Sequence, residues 1–132
     1  MGWDDTLATG NPTVDEQHKT LLSIFDEIAE ATTTGVGNRE IGHMLVRLSD
    51  YVSLHFAEEE ALMASHEYPE LASHCAEHVK LSEKTRNLVL AHRLGVESAI
   101  PLTMLLREWV FEHIRGVDQR FAQYVQESAA AS

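Results

Sequence analysis

Histidine is almost as frequent in this chain as lysine and arginine together, and several histidines stand at spacings that suit a metal site. The 132 residues include eight histidines, against ten lysine and arginine residues. Two pairs of potential ligands are four residues apart, His55 with Glu59 and His74 with His78. In a helix such residues lie on one face, about one turn apart. Imidazole is a ligand of iron, zinc, copper and nickel, so these pairs predict a transition-metal site.

Three further potential ligands lie near the two ends of the chain. His18 continues the apolar stripe of the first predicted helix, and His113 lies on the apolar stripe of the last. Asp118 follows His113 by five residues, which in a regular α-helix turns its side chain about 140° away from the histidine. A π-turn, which Gly116 makes plausible, would bring the carboxylate back to that face. We therefore predict an irregular hydrogen-bond ladder over residues 113–118.

Four helices would position these residues. Polar or glycine-rich breaks at 32–38, 65–68 and 93–98 separate four long segments that are rich in helix-forming residues. In the second segment the predicted core positions follow one another in steps of three and four: Ile41, Leu45, Leu48, Val52, His55, Glu59 and Leu62. We predict helices over about 13–32, 38–64, 69–92 and 99–126.

Short connections make neighbouring helices antiparallel. The predicted fold is therefore all-α: a single domain over 1–132, built as an antiparallel up-down-up-down four-helix bundle with an N-terminal arm (1–12). Thr13 is the expected N-cap of the first helix, and Glu16 completes a capping box with it. Pro69 is expected in the first turn of the third helix.

The bundle would bring potential ligands from all four helices into its core. An unpaired buried polar group costs about 1–3 kcal/mol, so a bound metal explains why the core tolerates several of them. Five histidines, two carboxylates that each join two ions, and a bridging oxide or hydroxide nearly complete two six-coordinate ions. One position then remains for a small ligand.

Four segments carry a resemblance to a known family: D-E-Q-H-K at 15–19, H-F-A-E-E at 55–59, H-C-A-E-H at 74–78 and H-I-R-G-V-D at 113–118. They resemble hemerythrin, specifically its single-domain bacterial members, and the resemblance extends over essentially the whole chain. It implies reversible dioxygen binding at a non-haem di-iron centre with an oxo or hydroxo bridge. The ligands that it implies are His74, His78 and His113 for one iron, His18 and His55 for the iron with the open position, and Glu59 and Asp118 as bridges.

Apolar residues beside the ligands are candidates for the wall of an O2 pocket, although they could equally be ordinary core residues. The candidates are Phe56, Leu81, Trp109 and Val110. An apolar wall would keep water and protons away from the bound gas.

Other residues resemble ligands but do not fit the pattern. His43, His66 and His92 are away from the predicted core positions, and we interpret them as non-ligands. Glu58 is the alternative to Glu59 as a ligand. The H-C-A-E-H segment also fits the H-x-x-E-H string of zinc proteases, but that interpretation leaves the ligands of the other helices unexplained.

Reversible binding makes an O2 carrier, store, delivery protein or sensor the first hypothesis, rather than an enzyme. The alternative is a di-iron oxidase, peroxidase or nitric oxide reductase that uses the same centre. The expected partner is O2, with nitric oxide and azide as further candidate ligands. An O2-consuming enzyme or a signalling protein is a candidate macromolecular partner.

Charge and cysteine content exclude other classes. A net charge of −11 and a pI near 5.0 argue against nucleic acid as a partner and against an anionic membrane surface. The sequence contains no run of 18 apolar residues, so it predicts no membrane-spanning helix. The single cysteine, Cys75, excludes an internal disulfide and fits a reducing compartment. The N-terminus does not resemble a signal peptide, so we expect a cytoplasmic protein.

Overall fold

The computed structural model describes residues 3–95 and 99–131, and this part of the chain folds into helices and turns without a β-strand. Three long helices come first: α1 (Pro12–Thr33), α2 (Asn38–Ser65) and α3 (Leu71–Arg93). The fourth rod consists of α4 (Ala99–His113), a π-helical turn (Ile114–Asp118) and α5 (Gln119–Ala131). The prediction of an all-α four-helix bundle is confirmed. The predicted break at 93–98 extends into residues 96–98, which lie outside the described ranges.

Each rod contacts two neighbours, so the four rods enclose a common core. Helix α2 lies against both α1 and α3, and α4 lies against both α3 and α1. The main apolar cluster fills the core with fully buried side chains, among them Phe25, Ile28, Leu45, Leu48 and Leu106. A smaller apolar cluster of Met63, Tyr68 and Phe121 lies near the other end of the bundle.

The first helix begins one residue earlier than its predicted cap. Asn11, not Thr13, is the N-cap: its side-chain oxygen accepts hydrogen bonds from the backbone N–H of Thr13 (3.0 Å) and Val14 (3.1 Å). Pro12 then occupies the first helical position, where its missing N–H costs nothing. Asparagine is a better N-cap than threonine, which explains the shift.

The third helix begins two residues later than predicted. Helix α2 ends in a turn in which Glu67 has φ of 52° and the N–H of Tyr68 donates to the carbonyl of Met63 at 3.0 Å. Pro69 lies in the next turn, so α3 starts only at Leu71. The last rod is longer than predicted and continues to Ala131.

The N-terminal arm closes one end of the bundle. It contains a 3₁₀ turn (Asp5–Leu7) that contacts the π-helical turn. Leu7 is fully buried in the main apolar cluster, and its carbonyl accepts a hydrogen bond from Gln119 Nε2 at 2.8 Å. No helix in the described part of the chain combines the length and apolar character needed to cross a membrane.

Candidate metal centre

Seven buried side chains from all four rods meet in two overlapping groups. The three-histidine group comprises His74, His78, His113, Glu59 and Asp118. The two-histidine group comprises His18, His55 and the same two carboxylates. In each group the ligand atoms all lie within 4.8 Å of one another. These are the seven residues that the sequence analysis singled out as metal ligands, and both carboxylates belong to both groups.

Each oxygen of Glu59 faces a different group of histidines. Its Oε1 lies 2.9 Å from His74 Nε2 and 3.0 Å from His78 Nε2. Its Oε2 lies 3.7 Å from Nε2 of both His18 and His55. The carboxylate therefore spans the gap between the two groups.

Asp118 is arranged in the same way. Its Oδ1 lies 2.9 Å from His74 Nε2 and 3.1 Å from His113 Nε2, whereas its Oδ2 lies 3.1 Å from His18 Nε2. Neighbouring ligands at right angles around an ion, with bonds of about 2.1 Å, would be about 3 Å apart. Most of the separations around the two carboxylates match that spacing.

The π-helical turn places Asp118 in this site. Residues Ile114–Asp118 form the turn directly after His113, so the prediction of an irregular ladder over 113–118 is confirmed. The wider turn accommodates the fifth residue of the interval, and Asp118 is 1% exposed instead of facing solvent.

The two carboxylates give the site a negative field that acts on its histidines. Burial alone would lower the pKa of His18 and His74, but Asp118 and Glu59 outweigh it and raise both to about 9. Burial would raise the pKa of Glu59, but the imidazoles of His18, His74 and His78 close to it bring the pKa down to about 2. His55 responds mainly to burial, which lowers its pKa to about 4.

Asp118 is held ionised in the same field. Burial works to raise its pKa, yet His113 and the other histidines hold the pKa well below its usual range. Two ionised carboxylates are therefore buried side by side, an arrangement that is costly unless positive charge lies between them.

Buried polar atoms that lack hydrogen bonds show that a cation fits here. His18 Nε2, Glu59 Oε1 and both carboxylate oxygens of Asp118 have no hydrogen-bond partner. The Nε2 atoms of His74 and His78 each lie 3.2 Å from Nε2 of His113. Such a convergence of imidazole nitrogens and carboxylate oxygens is the donor set of a transition-metal site.

Two side chains that the sequence analysis did not identify hold the outer nitrogens of the histidines. Glu60 Oε2 lies 2.7 Å from His78 Nδ1, and Gln17 Oε1 lies 2.7 Å from His55 Nδ1. Gln17 directly precedes His18, and Glu60 directly follows Glu59. This adjacency to a ligand is the only local signal for them. Their contacts cross between helices, so spacing along one helix does not reveal them.

One candidate pocket residue stacks on a ligand histidine, two are buried in the core, and one is partly exposed. The ring of Phe56 stacks on that of His78, with centroids 3.9 Å apart and planes 3° from parallel. Leu81 and Val110 are buried in the main apolar cluster.

Trp109 is different from the other three candidates. It is 37% exposed, and Lys84 Nζ lies 4.2 Å from the centre of its ring. The buried positions of α4 include Leu106, Val110 and His113, so Trp109 lies at the edge of the buried stripe. It also lines an open groove together with Leu81 and His113, and its place in the pocket wall stays a prediction.

The residues interpreted as non-ligands belong to neither group. His43 and His66 are exposed, His92 is partly buried, and Glu58 is exposed while Glu59 is 1% exposed.

A cavity of about 230 Å³ reaches the site at the end that the arm closes. Glu59 and Asp118 line its inner part, and the arm, α1, α2 and α5 form the rest of its wall.

Comparison with known proteins finds a family, relatives and a solved structure that match most of this chain. The family description "Hemerythrin HHE cation binding domain" matches residues 9–125. Bacteriohemerythrin of Stenotrophomonas maltophilia is 31% identical over 94% of this chain and 80% of that protein. Bacteriohemerythrin of Methylococcus capsulatus is 35% identical over 81% of this chain and 82% of that protein. A crystal structure of wild-type hemerythrin superposes with a TM-score of 0.85 at 33% identity, covering 93% of this chain and 95% of that one.

Proposed function

The chain belongs to the hemerythrin family, and we propose that it binds dioxygen reversibly at a non-haem di-iron centre. The observation that carries this proposal is the sharing of Glu59 and Asp118 between two histidine groups. Two shared carboxylates suit two metal ions held side by side. Imidazole-rich coordination suits iron among the first-row metals.

The two groups would hold two irons with different numbers of histidine ligands. We assign His74, His78 and His113 to one iron, and His18 and His55 to the other, with Glu59 and Asp118 as bridges and an oxo or hydroxo group between the ions. An iron held by the two-histidine group would have one protein ligand fewer, which would leave a position for O2. When bound, such a centre would supply two electrons to O2 and take them back as O2 leaves.

The surrounding side chains would protect this exchange. Phe56, Leu81 and Val110 are buried, and we propose that they form the apolar wall around the ligand. An apolar wall limits the access of water and protons, which would otherwise promote irreversible oxidation of the iron. Nitric oxide and azide are small enough to take the same position.

We infer a role in oxygen storage, delivery or transport in the cytoplasm. The single cysteine fits a reducing compartment. A sensing role would require a signalling partner, and a delivery role an O2-consuming enzyme.

The direct test is to load the full chain anaerobically with Fe(II), admit O2, and then remove it while the visible spectrum is recorded. We expect a coloured band that forms with O2 and disappears when O2 is removed, over several cycles. Irreversible conversion to a ferric form, with consumption of a substrate or of peroxide, would instead support a di-iron oxidase, peroxidase or nitric oxide reductase. The absence of any O2-dependent band in a fully loaded sample would contradict both.

A further inference from the structure

The two histidine groups are supported from outside in chemically different ways. One histidine in each group has a hydrogen bond at its outer ring nitrogen: His78 in the three-histidine group and His55 in the two-histidine group. The partner of His78 is a carboxylate, and the partner of His55 is an amide. Outer partners of this kind fix the tautomer of a metal-binding imidazole and tune its basicity.

The contact of His78 with Glu60 is direct. Glu60 Oε2 lies 2.7 Å from His78 Nδ1, and the Glu60 side chain is 35% exposed while that of His78 is 1% exposed. An ionised carboxylate only accepts hydrogen bonds, so the Nδ1–H of His78 donates. The proton is then fixed on Nδ1, and Nε2 is free to bind metal.

The contact of His55 passes through an amide before it reaches a carboxylate. Gln17 Oε1 lies 2.7 Å from His55 Nδ1, and Gln17 Nε2 donates to the carboxylate of Glu58. The bond to Glu58 orients the amide, so its oxygen faces the histidine and accepts the Nδ1–H. The negative charge of Glu58 is therefore one residue further from the imidazole than the charge of Glu60 is from His78.

Three consecutive glutamates thus have three different positions around the site. Glu59 points into it and contacts both groups, Glu60 supports His78 directly, and Glu58 supports His55 through Gln17. A second carboxylate lies on the same side as Glu60, because Glu77 Oε1 is 3.7 Å from Nδ1 of His113. Outer negative charge is concentrated on the three-histidine group.

We propose that Glu60 and the Gln17–Glu58 pair are positioning residues that make the two halves of the centre electronically unequal. The carboxylate of Glu60 makes His78 the stronger donor and favours the higher oxidation state at the three-histidine iron. The amide of Gln17 orients His55 without adding charge, so the iron of the two-histidine group is held less strongly. This inference rests on the proposed di-iron site, but neither the ligand set nor O2 binding implies it.

The test compares conservative variants of the full iron-loaded chain. E60Q keeps a hydrogen-bond acceptor at His78 but removes the charge. The double variant Q17E/E58Q exchanges the amide and the carboxylate beside His55 without changing net charge. E40Q is the matched control, because Glu40 is an exposed glutamate in the first turn of the same helix, α2. Iron affinity is measured by chelator competition, midpoint potential by redox titration, and the state of each iron by ⁵⁷Fe Mössbauer spectroscopy.

We expect opposite shifts from the two conservative variants. E60Q raises the midpoint potential, because a negative charge beside the three-histidine iron is lost. Q17E/E58Q lowers it, because a carboxylate now contacts His55 directly. Each variant changes mainly the Mössbauer doublet of its own iron, and E40Q changes neither.

Removal of the contacts tests the positioning role separately from charge. E60A and Q17A each lower iron affinity by about 10- to 100-fold, the usual cost of losing such a partner, whereas E60Q stays close to the wild-type affinity. Potentials and doublets that move no more in E60Q and Q17E/E58Q than in E40Q would overturn this inference alone. A wild-type chain that does not bind two irons would overturn the proposed function together with it.

Discussion

The two ends of the bundle core use the same helical positions for opposite purposes. Toward one end, the inward positions of α2 are Leu45, Leu48 and Val52, all buried in the main apolar cluster. Toward the other end, the same stripe continues with His55 and Glu59, which are equally buried. The stripe carries these polar residues after Val52 and is apolar again at Met63, without any break in the helix.

This difference separates the source of stability from the source of function. The apolar end buries large side chains that contribute favourably to folding. The metal end buries seven polar residues, several of whose atoms have no hydrogen-bond partner. The apolar end must therefore hold the rods in register, so that the ligands meet before any ion binds.

The largest expected effect is the loss of metal on removing one ligand. His78→Ala deletes a ligand of the three-histidine group, and we expect iron content to fall sharply. His43→Ala is the matched control, because His43 is exposed on α2 and should leave iron content unchanged. Iron per chain is measured after loading and gel filtration. Equal iron content in the two variants would refute the ligand assignment.

A substitution at the apolar end of the core should destabilise the fold but leave the metal site intact. Leu45 is completely buried, and Leu45→Ala should lower the free energy of unfolding by about 2–5 kcal/mol. Chemical denaturation measures the loss, and iron content is measured in the same sample below the transition. A variant that keeps its stability but loses its iron would show that the two ends are not separable in this way.

The metal-free protein should lose stability at alkaline pH. His18 and His74 have pKa values raised to about 9 in the fold, against 6.5 as the ordinary value. Groups with raised pKa values contribute stability that is full below 6.5 and is lost as the pH rises through about 9.

Urea unfolding midpoints of the metal-free chain at about pH 6.5 and about pH 9.5 test whether stability falls as the pH rises. We expect the lower midpoint at the higher pH. The iron-loaded chain should lack this loss, because metal binding requires neutral imidazoles and releases their protons. The same alkaline loss in both forms would contradict the assignment of His18 and His74 as ligands.

The smallest expected effect is at the surface, away from both the apolar end and the metal end of the core. Arg47 and Glu27 form an ion pair at 2.8 Å, and both side chains are exposed. Exposed pairs contribute about 0–1 kcal/mol, so Arg47→Ala should change the unfolding midpoint only slightly and iron content not at all. A loss as large as that of Leu45→Ala would mean that this pair has a structural role beyond a surface contact.

Local spacing predicted the features that lie along one helix. The i, i+4 pairs of α2 and α3 indicated shared faces, and the five-residue interval before Asp118 indicated the π-turn that the structure contains. These are properties of a single helix, so the sequence alone contains them.

Features that depend on how two helices meet were beyond the sequence. The contacts of Gln17 with His55 and of Glu60 with His78 depend on the relative rotation and height of neighbouring rods. The partial exposure of Trp109 was beyond the sequence as well, because periodicity does not distinguish the centre of a buried stripe from its edge. At the start of α1, Thr13 was predicted as the N-cap, but Asn11, two residues earlier, caps the helix.

Anomalous diffraction can show whether Glu59 and Asp118 each join two irons. Crystals of the iron-loaded chain would be measured on either side of the iron absorption edge. We expect two anomalous peaks, one beside His74, His78 and His113 and the other beside His18 and His55, with each carboxylate contacting both irons. A single peak, or a carboxylate that contacts only one iron, would contradict it.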